Sequence, residues 1–331
     1  MAPLDGALYA NLLRVVALGD QRTLGNVLDT ALNPFGPSCT DGARTTDATA
    51  AASPCEAKVW LQATGSNVSL NDSPDLDTTG FHLLAGTDGV LGDVVHVGVE
   101  AGAGQIHASA AVAGRGRIRD QVRSVHAGFY AFADAGPWVI SATVDAMHSN
   151  FRVHRNTGIG LASAAPGGRT LSGGLQAAWP IAFSGGQLTP KLGVLYQHQT
   201  LDGFSERVAS TSPLAPAYAV TGTQSTATSL QPYAALVFAS TFRAHSVTYV
   251  PQLELGYRYD ARGNTPTVQV TALDGTSFAL PGTAVGRGVG EIGAKVTAEL
   301  DGSWSLYLDY HGLFASHLHD NALTVGFTKQ F

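Results

Sequence analysis

No stretch of the 331 residues approaches eighteen consecutive apolar positions, which excludes a transmembrane helix. Strands are untouched by that absence, because a membrane barrel strand alternates and so dilutes its hydrophobicity. Charged residues make up only 13%, with a net charge of -6, so the basic surface that general nucleic-acid binding needs is missing. Cys39 and Cys55 are the only cysteines, and without His at matching spacing they argue against a metal site. Both lie in a Ser/Thr/Ala/Pro-rich stretch, and in an oxidising compartment a disulfide between them would be worth on the order of 3 kcal/mol. The opening Met-Ala-Pro-Leu-Asp-Gly has neither the basic start nor the apolar run of a signal peptide, and its first cation is Arg14.

What is present is glycine, at 39 residues, and 44% hydrophobic residues, enough for a folded core. Helical spacing occurs once. Leu4, Leu8, Leu12, Val15 and Val16, then Leu24, Val27, Leu28 and Leu32, recur at three and four, with Gly19-Asp20 as an expected interruption and Pro34 as a stop. Asn11, Arg14, Arg22, Asn26 and Asp29 fill the polar positions. An amphipathic helix on a soluble core is the lesser reading of this pattern. The spacing divides the chain into a helical segment (1–33), a linker (34–56) and a strand-rich domain (57–331).

From residue 57 the period becomes two. Twelve strands are expected, near 58–67, 79–91, 94–104, 121–133, 138–148, 170–182, 187–200, 226–239, 246–259, 285–300, 304–314 and 321–331. Most are ten to fourteen residues, long enough to cross a bilayer at a tilt. Short turns such as Gly136-Pro137, Gly185-Gly186 and Asp301-Gly302 alternate with longer connections near 105–120, 150–169, 201–225 and 260–284. Alternation of short and long is the loop order of an outer-membrane barrel.

Phase then assigns faces. Val95, Val97, Val99, Ala101 and Ala103 alternate with His96, Gly98, Glu100, Gly102 and Gly104, and the same split recurs at 248–258 and 291–299. Apolar side chains facing lipid, and glycine with opposite charges facing a narrow wet lumen, account for this better than a soluble barrel does. Tyr249, Tyr257, Tyr259, Trp304 and Tyr310 near strand ends suit an interfacial girdle. In the last strand Leu323, Val325, Phe327 and Phe331 share the apolar phase, broken by Lys329, and the expectation is that this strand closes the sheet against the first.

Local stretches carry a family likeness: Val-Trp-Leu-Gln at 59–62, Gly-Phe-His-Leu-Leu-Ala-Gly-Thr-Asp at 80–88, Gly-Phe-Tyr at 128–130, Leu-Thr-Pro-Lys-Leu-Gly-Val-Leu-Tyr at 188–196, Asp-Gly-Phe at 202–204 and the terminal Val-Gly-Phe-Thr-Lys-Gln-Phe. With the leading helix and twelve strands, the chain resembles the translocator β-domain of monomeric autotransporters of type V secretion. Two departures stand out. The sixth strand reads Ser-Gly-Gly-Leu-Gln at 172–176 where the family often has a lumen-facing Glu, and Lys329 replaces a penultimate aromatic.

The resemblance implies an all-β, twelve-stranded antiparallel transmembrane barrel with the N-terminal helix in its lumen, integral to the bacterial outer membrane. It implies a protein-transport scaffold, not an enzyme, with no cofactor and no metal. The expected partners are outer-membrane lipid and lipopolysaccharide, the barrel-assembly machinery and the chain's own upstream passenger, with the barrel a monomer. An outer-membrane protein needs a signal peptide, so the expectation is that this sequence starts inside a longer precursor. A helix about 10 to 12 Å across needs a lumen that twelve strands can enclose and eight cannot. Arg14 and Arg22 would then meet lumen acids among Asp88, Glu100, Asp145, Glu254, Glu291 and Asp309, with Gln62, Lys191, Arg258, Lys295 and Glu299 completing the polar wall.

A few residue patterns point towards other functions. Gly288-Val289-Gly290-Glu291-Ile292-Gly293 matches a dinucleotide string but lacks the strand–loop–helix unit around it. His148, His154 and His198 near hydroxyl residues would suit a lipid-modifying hydrolase, though no triad spacing singles them out. A free-standing pore for small solutes is the other alternative. Asn26 or Asn33 could serve a self-cleavage of the linker, but no Asn-Asn pair is present. Arg115, Arg117, Arg119 and Arg123 share one phase at the mouth of the fourth strand, as phosphate ligands for lipopolysaccharide or as solvated loop cations.

Overall fold

The computed structural model describes residues 6–32, 57–71, 75–91, 95–112, 116–263, 265–300 and 304–331. Cys39, Cys55, Asn33, Arg115 and the 34–56 linker lie outside them.

Twelve long strands form the wall: β1 Lys58–Leu70, β2 Asp75–Leu91, β3 Val95–Val112, β4 Gly116–Ala135, β5 Trp138–Asn156 and β6 Gly167–Ala178, then β7 Gly186–Leu201, β8 Ser225–Ala239, β9 Val247–Tyr259, β10 Gly288–Glu299, β11 Trp304–Ala315 and β12 Leu318–Gln330. Each pairs antiparallel with the next. β1 also pairs with β12 along its whole length, from Lys58 opposite Gln330 to Leu70 opposite Leu318. That pairing closes the cylinder and leaves no edge whose N–H and C=O groups would be stranded in lipid.

The greasy phase faces out. Val97, Val99, Leu253, Leu255, Ile292, Val296, Leu323 and Val325 are all exposed. Tyr257 and Tyr259 are exposed near the long-loop end, while Trp304 lies at the opposite end and stacks on Phe327 at 5.3 Å. Lys329, the break in the apolar phase, sets its Nζ 4.6 Å above the Trp304 ring and 4.8 Å from that of Phe331, as an interfacial cation does.

The strands outrun the expected lengths, and the reason is a change of sign in their alternation. On β5 the outward phase reads Trp138, Ile140, Ala142, Val144 and Ala146, then His148, Asn150, Arg152 and His154. The inward phase changes oppositely, from Ser141, Thr143 and Asp145 to Phe151 and Val153. From Trp138 to His148 is ten residues, which at about 3.3 Å each and a tilt of about 40° rise roughly 25 Å, the height of the apolar band. Beyond it the strand behaves as a soluble barrel, apolar side in. Hence most of 105–120 and 150–156, expected as loops, is strand. The connection between β11 and β12 on the long-loop side is also tight, so alternation of short and long loops is not strict.

The long excursions follow β5, β7 and β9. Phe204–Ser205, Val220–Gly222, Thr267–Ala272 and Ser277–Pro281 build one small sheet across the mouth. In its exposed hairpin the Thr276 backbone N–H donates to Asp274 at 2.9 Å and holds that carboxyl below its usual range.

Helix α1, Ala7–Leu28, runs without a break through Gly19-Asp20 and ends in a 3₁₀ turn at Asp29–Leu32. The expected interruption is absent because the surroundings, not propensity, decide: wall groups take up the Asp20 carboxylate and neighbouring backbone oxygens. Nor is the helix amphipathic on a core. It is buried all round, which places it inside the cylinder.

Candidate functional site

The site is the lumen and the helix threaded through it. At the long-loop end the contact is dry. Leu8, Leu12, Val15 and Val16 pack with Val68, Leu70, Phe151, Leu201 and Leu318 of the wall and with Val268, Val270 and Leu280 of the mouth sheet. Tyr9 stacks on Phe204 at 4.2 Å, and its hydroxyl donates to Glu206 at 3.0 Å. Arg155 clamps the same carboxylate through Nε at 3.0 Å and Nη2 at 2.5 Å. Asn11 accepts the Thr283 backbone N–H at 2.6 Å. Gly282 is required there, since a Cβ would sit 2.8 Å from the Asn11 oxygen and 3.1 Å from the Ala10 Cβ.

From Asp20 onward polar contacts join the apolar ones, in which Leu24 and Leu28 pack with Leu195, and Val27 with Trp60, Leu84 and Phe132. Gln197 of β7 donates to Asp20 at 2.5 Å and to the Ala17 carbonyl at 3.0 Å, and accepts from Gln21 at 2.6 Å. Gln199 donates to the Leu13 carbonyl at 3.3 Å. Arg22 meets both oxygens of Asp320 at 2.5 Å. Asn26 reaches Gln62 at 3.4 Å. Asp29 receives Lys191 at 3.0 Å and Gln176 at 3.1 Å. Gln176 lies in the stretch that departs from the family's Glu, and Tyr233 donates to it at 2.7 Å.

Arg22 therefore pairs with Asp320, which was not among the six acids expected, and Arg14 faces Asp260, also outside that set. Period two puts Asp320 on the inward phase, but matching it to Arg22 needs the closure register of β12, which no local pattern contains.

The expected acids serve the wall itself. Lys191 bonds Glu254 at 2.8 Å, and Arg258 grips Glu291 at 2.7 and 2.8 Å, where His311 is also bonded. Asp309 stands opposite Lys295, whose Nζ sits 4.4 Å over Tyr307. A cavity lined by Lys191, Glu254, Arg258, Glu291, Lys295 and Asp309 remains beside the lower helix. Across the lumen, Trp60 donates to Tyr130 at 2.7 Å and Tyr130 to Asp88 at 2.7 Å, with Lys58 at 3.4 Å from Asp88. These rings lie over Gly86 and Gly98, where a Cβ would come within 2.3 Å of ring carbon. His82 and His126 are hydrogen-bonded through their Nε2 atoms at 2.8 Å, and His126 contacts Asp145 at 2.8 Å, with Glu100 close by. Glu299 is half-buried near the turn end of β10.

The result is a closed twelve-strand cylinder whose lumen is filled lengthwise by one helix. The profile of the family described as Autotransporter beta-domain matches residues 59–311. This chain belongs to that family. It is an outer-membrane translocator domain, integral to the membrane through its barrel. Among solved structures it is similar to the translocator domain of the autotransporter NalP from Neisseria meningitidis, at TM-score 0.76 and 16% identity over 98% of this chain and 100% of that one. It is also similar to the β-domain of the Bordetella autotransporter Brka, at 0.60 and 16% over 83% and 100%. The transport unit of AIDA-I from Escherichia coli follows at 0.57 and 15% over 92% and 97%. At these identities the structures speak for the fold alone. No curated protein matches the sequence.

Proposed function

We propose that this domain supports the export of a passenger joined ahead of α1 and afterwards keeps α1 in its lumen as a plug. One observation carries the reading. The helix N-terminus points at the long-loop mouth, where Tyr9 and Asn11 are held, and its C-terminus lies at the turn side, where Lys58 approaches the Thr30 carbonyl at 3.5 Å. A chain leaving through the mouth would stop in this direction. The side chains around it hold and orient, and none is asked to do chemistry. The outward apolar phase of β12, with Leu323, Val325, Phe327 and Phe331, is offered to the assembly machinery before closure.

An epitope fused ahead of Gly6, in a precursor with a signal peptide, should be shaved by protease from intact cells. An epitope retained in the periplasm while the barrel is folded would contradict export. Ester hydrolysis by the purified chain would contradict the absence of chemistry.

A further inference from the structure

The switch from apolar to polar on the outer surface draws a line around the barrel, and between β4 and β7 that line is cationic. Arg123 of β4 stands opposite Asn150 of β5, with Arg152 two residues beyond it, and His148 of β5 stands opposite Arg169 of β6. Arg119, four residues further out on β4, extends the same band. All four arginines are exposed, and none makes a salt bridge among the described residues. With strands about 4.8 Å apart and residues about 3.3 Å apart, Arg123, Arg152 and Arg169 lie within roughly 10 Å across the sheet and about 13 Å along it. Arg117 is in β4, and its side chain is outside the described set.

Directly below lies an open groove. Val125, His148, Arg169 and Thr200 form its upper row and Ala127, Ala146, Leu171 and His198 the row beneath, so the apolar part is Val125, Ala127, Ala146 and Leu171. His198 is oriented by Thr228 at 3.0 Å. Two carboxylates stand at the patch: Asp202, whose Oδ2 leans over Gly167 beside the His148 ring, and Asp77, opposite Ser109 at the far edge, so the four arginines outnumber the acids.

We infer that this groove and the arginines above it form a binding site for a phosphorylated glycolipid of the outer leaflet, that is, the lipid A part of lipopolysaccharide. Guanidinium forks suit phosphate oxygens, the apolar part of the groove suits an acyl chain, and the two meet at the height where headgroup and chain meet in a leaflet. The side is fixed by the long loops, which mark the cell exterior. The site rests on the outer-membrane placement and stands whether or not a passenger is exported.

The full chain, folded in detergent, is titrated with bisphosphorylated hexa-acyl lipid A, with the same lipid stripped of phosphate, and with phosphatidylglycerol. Native mass spectrometry reads binding, and heat-modifiable migration verifies folding. Bisphosphorylated lipid A should bind roughly tenfold tighter than either other lipid, and Arg123→Gln with Arg152→Gln and Arg169→Gln should remove about that factor. If the triple variant fails to fold, Arg169→Gln alone should weaken binding about threefold. Unchanged lipid A binding in the folded variant overturns the site. Equal binding of phosphatidylglycerol by the wild type overturns the outer-leaflet assignment.

Discussion

The two halves of the lumen are built on opposite principles. Around Leu8 to Leu18 the wall turns apolar residues inward and the mouth sheet closes over them, so the helix is held by a dry core. Around Asp20 to Asp29 the wall turns Gln197, Asp320, Lys191 and Gln176 inward, and a polar cavity remains beside the helix. The upper contact is held by dispersion and burial, whereas in the lower each buried polar group needs its own partner. The upper half therefore seals, and the lower half fixes the rotation and height of the helix.

Placing a charge in the seal tests this most severely. Leu12→Asp puts a carboxylate at a fully buried position, and native-state hydrogen exchange of the α1 amides should show local stability falling by more than about 4 kcal/mol. Protection equal to wild type would mean the seal is not dry. Arg22→Ala comes next, because it leaves Asp320, 1% exposed, without its guanidinium; a loss of about 3 kcal/mol in the same measurement is expected. Replacing Arg22 by Met together with Asp320→Asn should recover most of that loss, and no recovery would show that the pair is not the cause.

Gly282→Ala should lower the α1 protection by about 1 to 3 kcal/mol, because its Cβ would sit 2.8 Å from the Asn11 oxygen and 3.1 Å from the Ala10 Cβ. Unchanged protection would place the helix elsewhere. Asn26→Ala should cost least, under about 0.5 kcal/mol, because its hydrogen bond to Gln62 is long at 3.4 Å and half-exposed.

The cylinder was legible because lipid imposes one rule on every strand: Val97, Leu253 and Ile292 had to face out if Glu100, Glu254 and Glu291 faced in. The ends of the strands were not legible for the same reason. Above the membrane the period stays at two but its sign reverses, so Phe151 and Val153 point inward beside Arg152, and a reader following the membrane phase sees a loop. Phase likewise identified which residues line the lumen, but pairing depends on register across the barrel. Arg22 and Asp320 are almost 300 residues apart, and only the closure of β12 on β1 sets them together. The mouth sheet had no local signature either, since its strands are two to six residues long and pair only with one another.

The central claim is that a helix fills a lumen that would otherwise conduct. Single-channel recording of the full chain and of a chain lacking residues 2–33 tests it in one comparison. A closed or nearly closed full chain and a steadily conducting shortened one are expected, and equal conductance in the two would contradict the account.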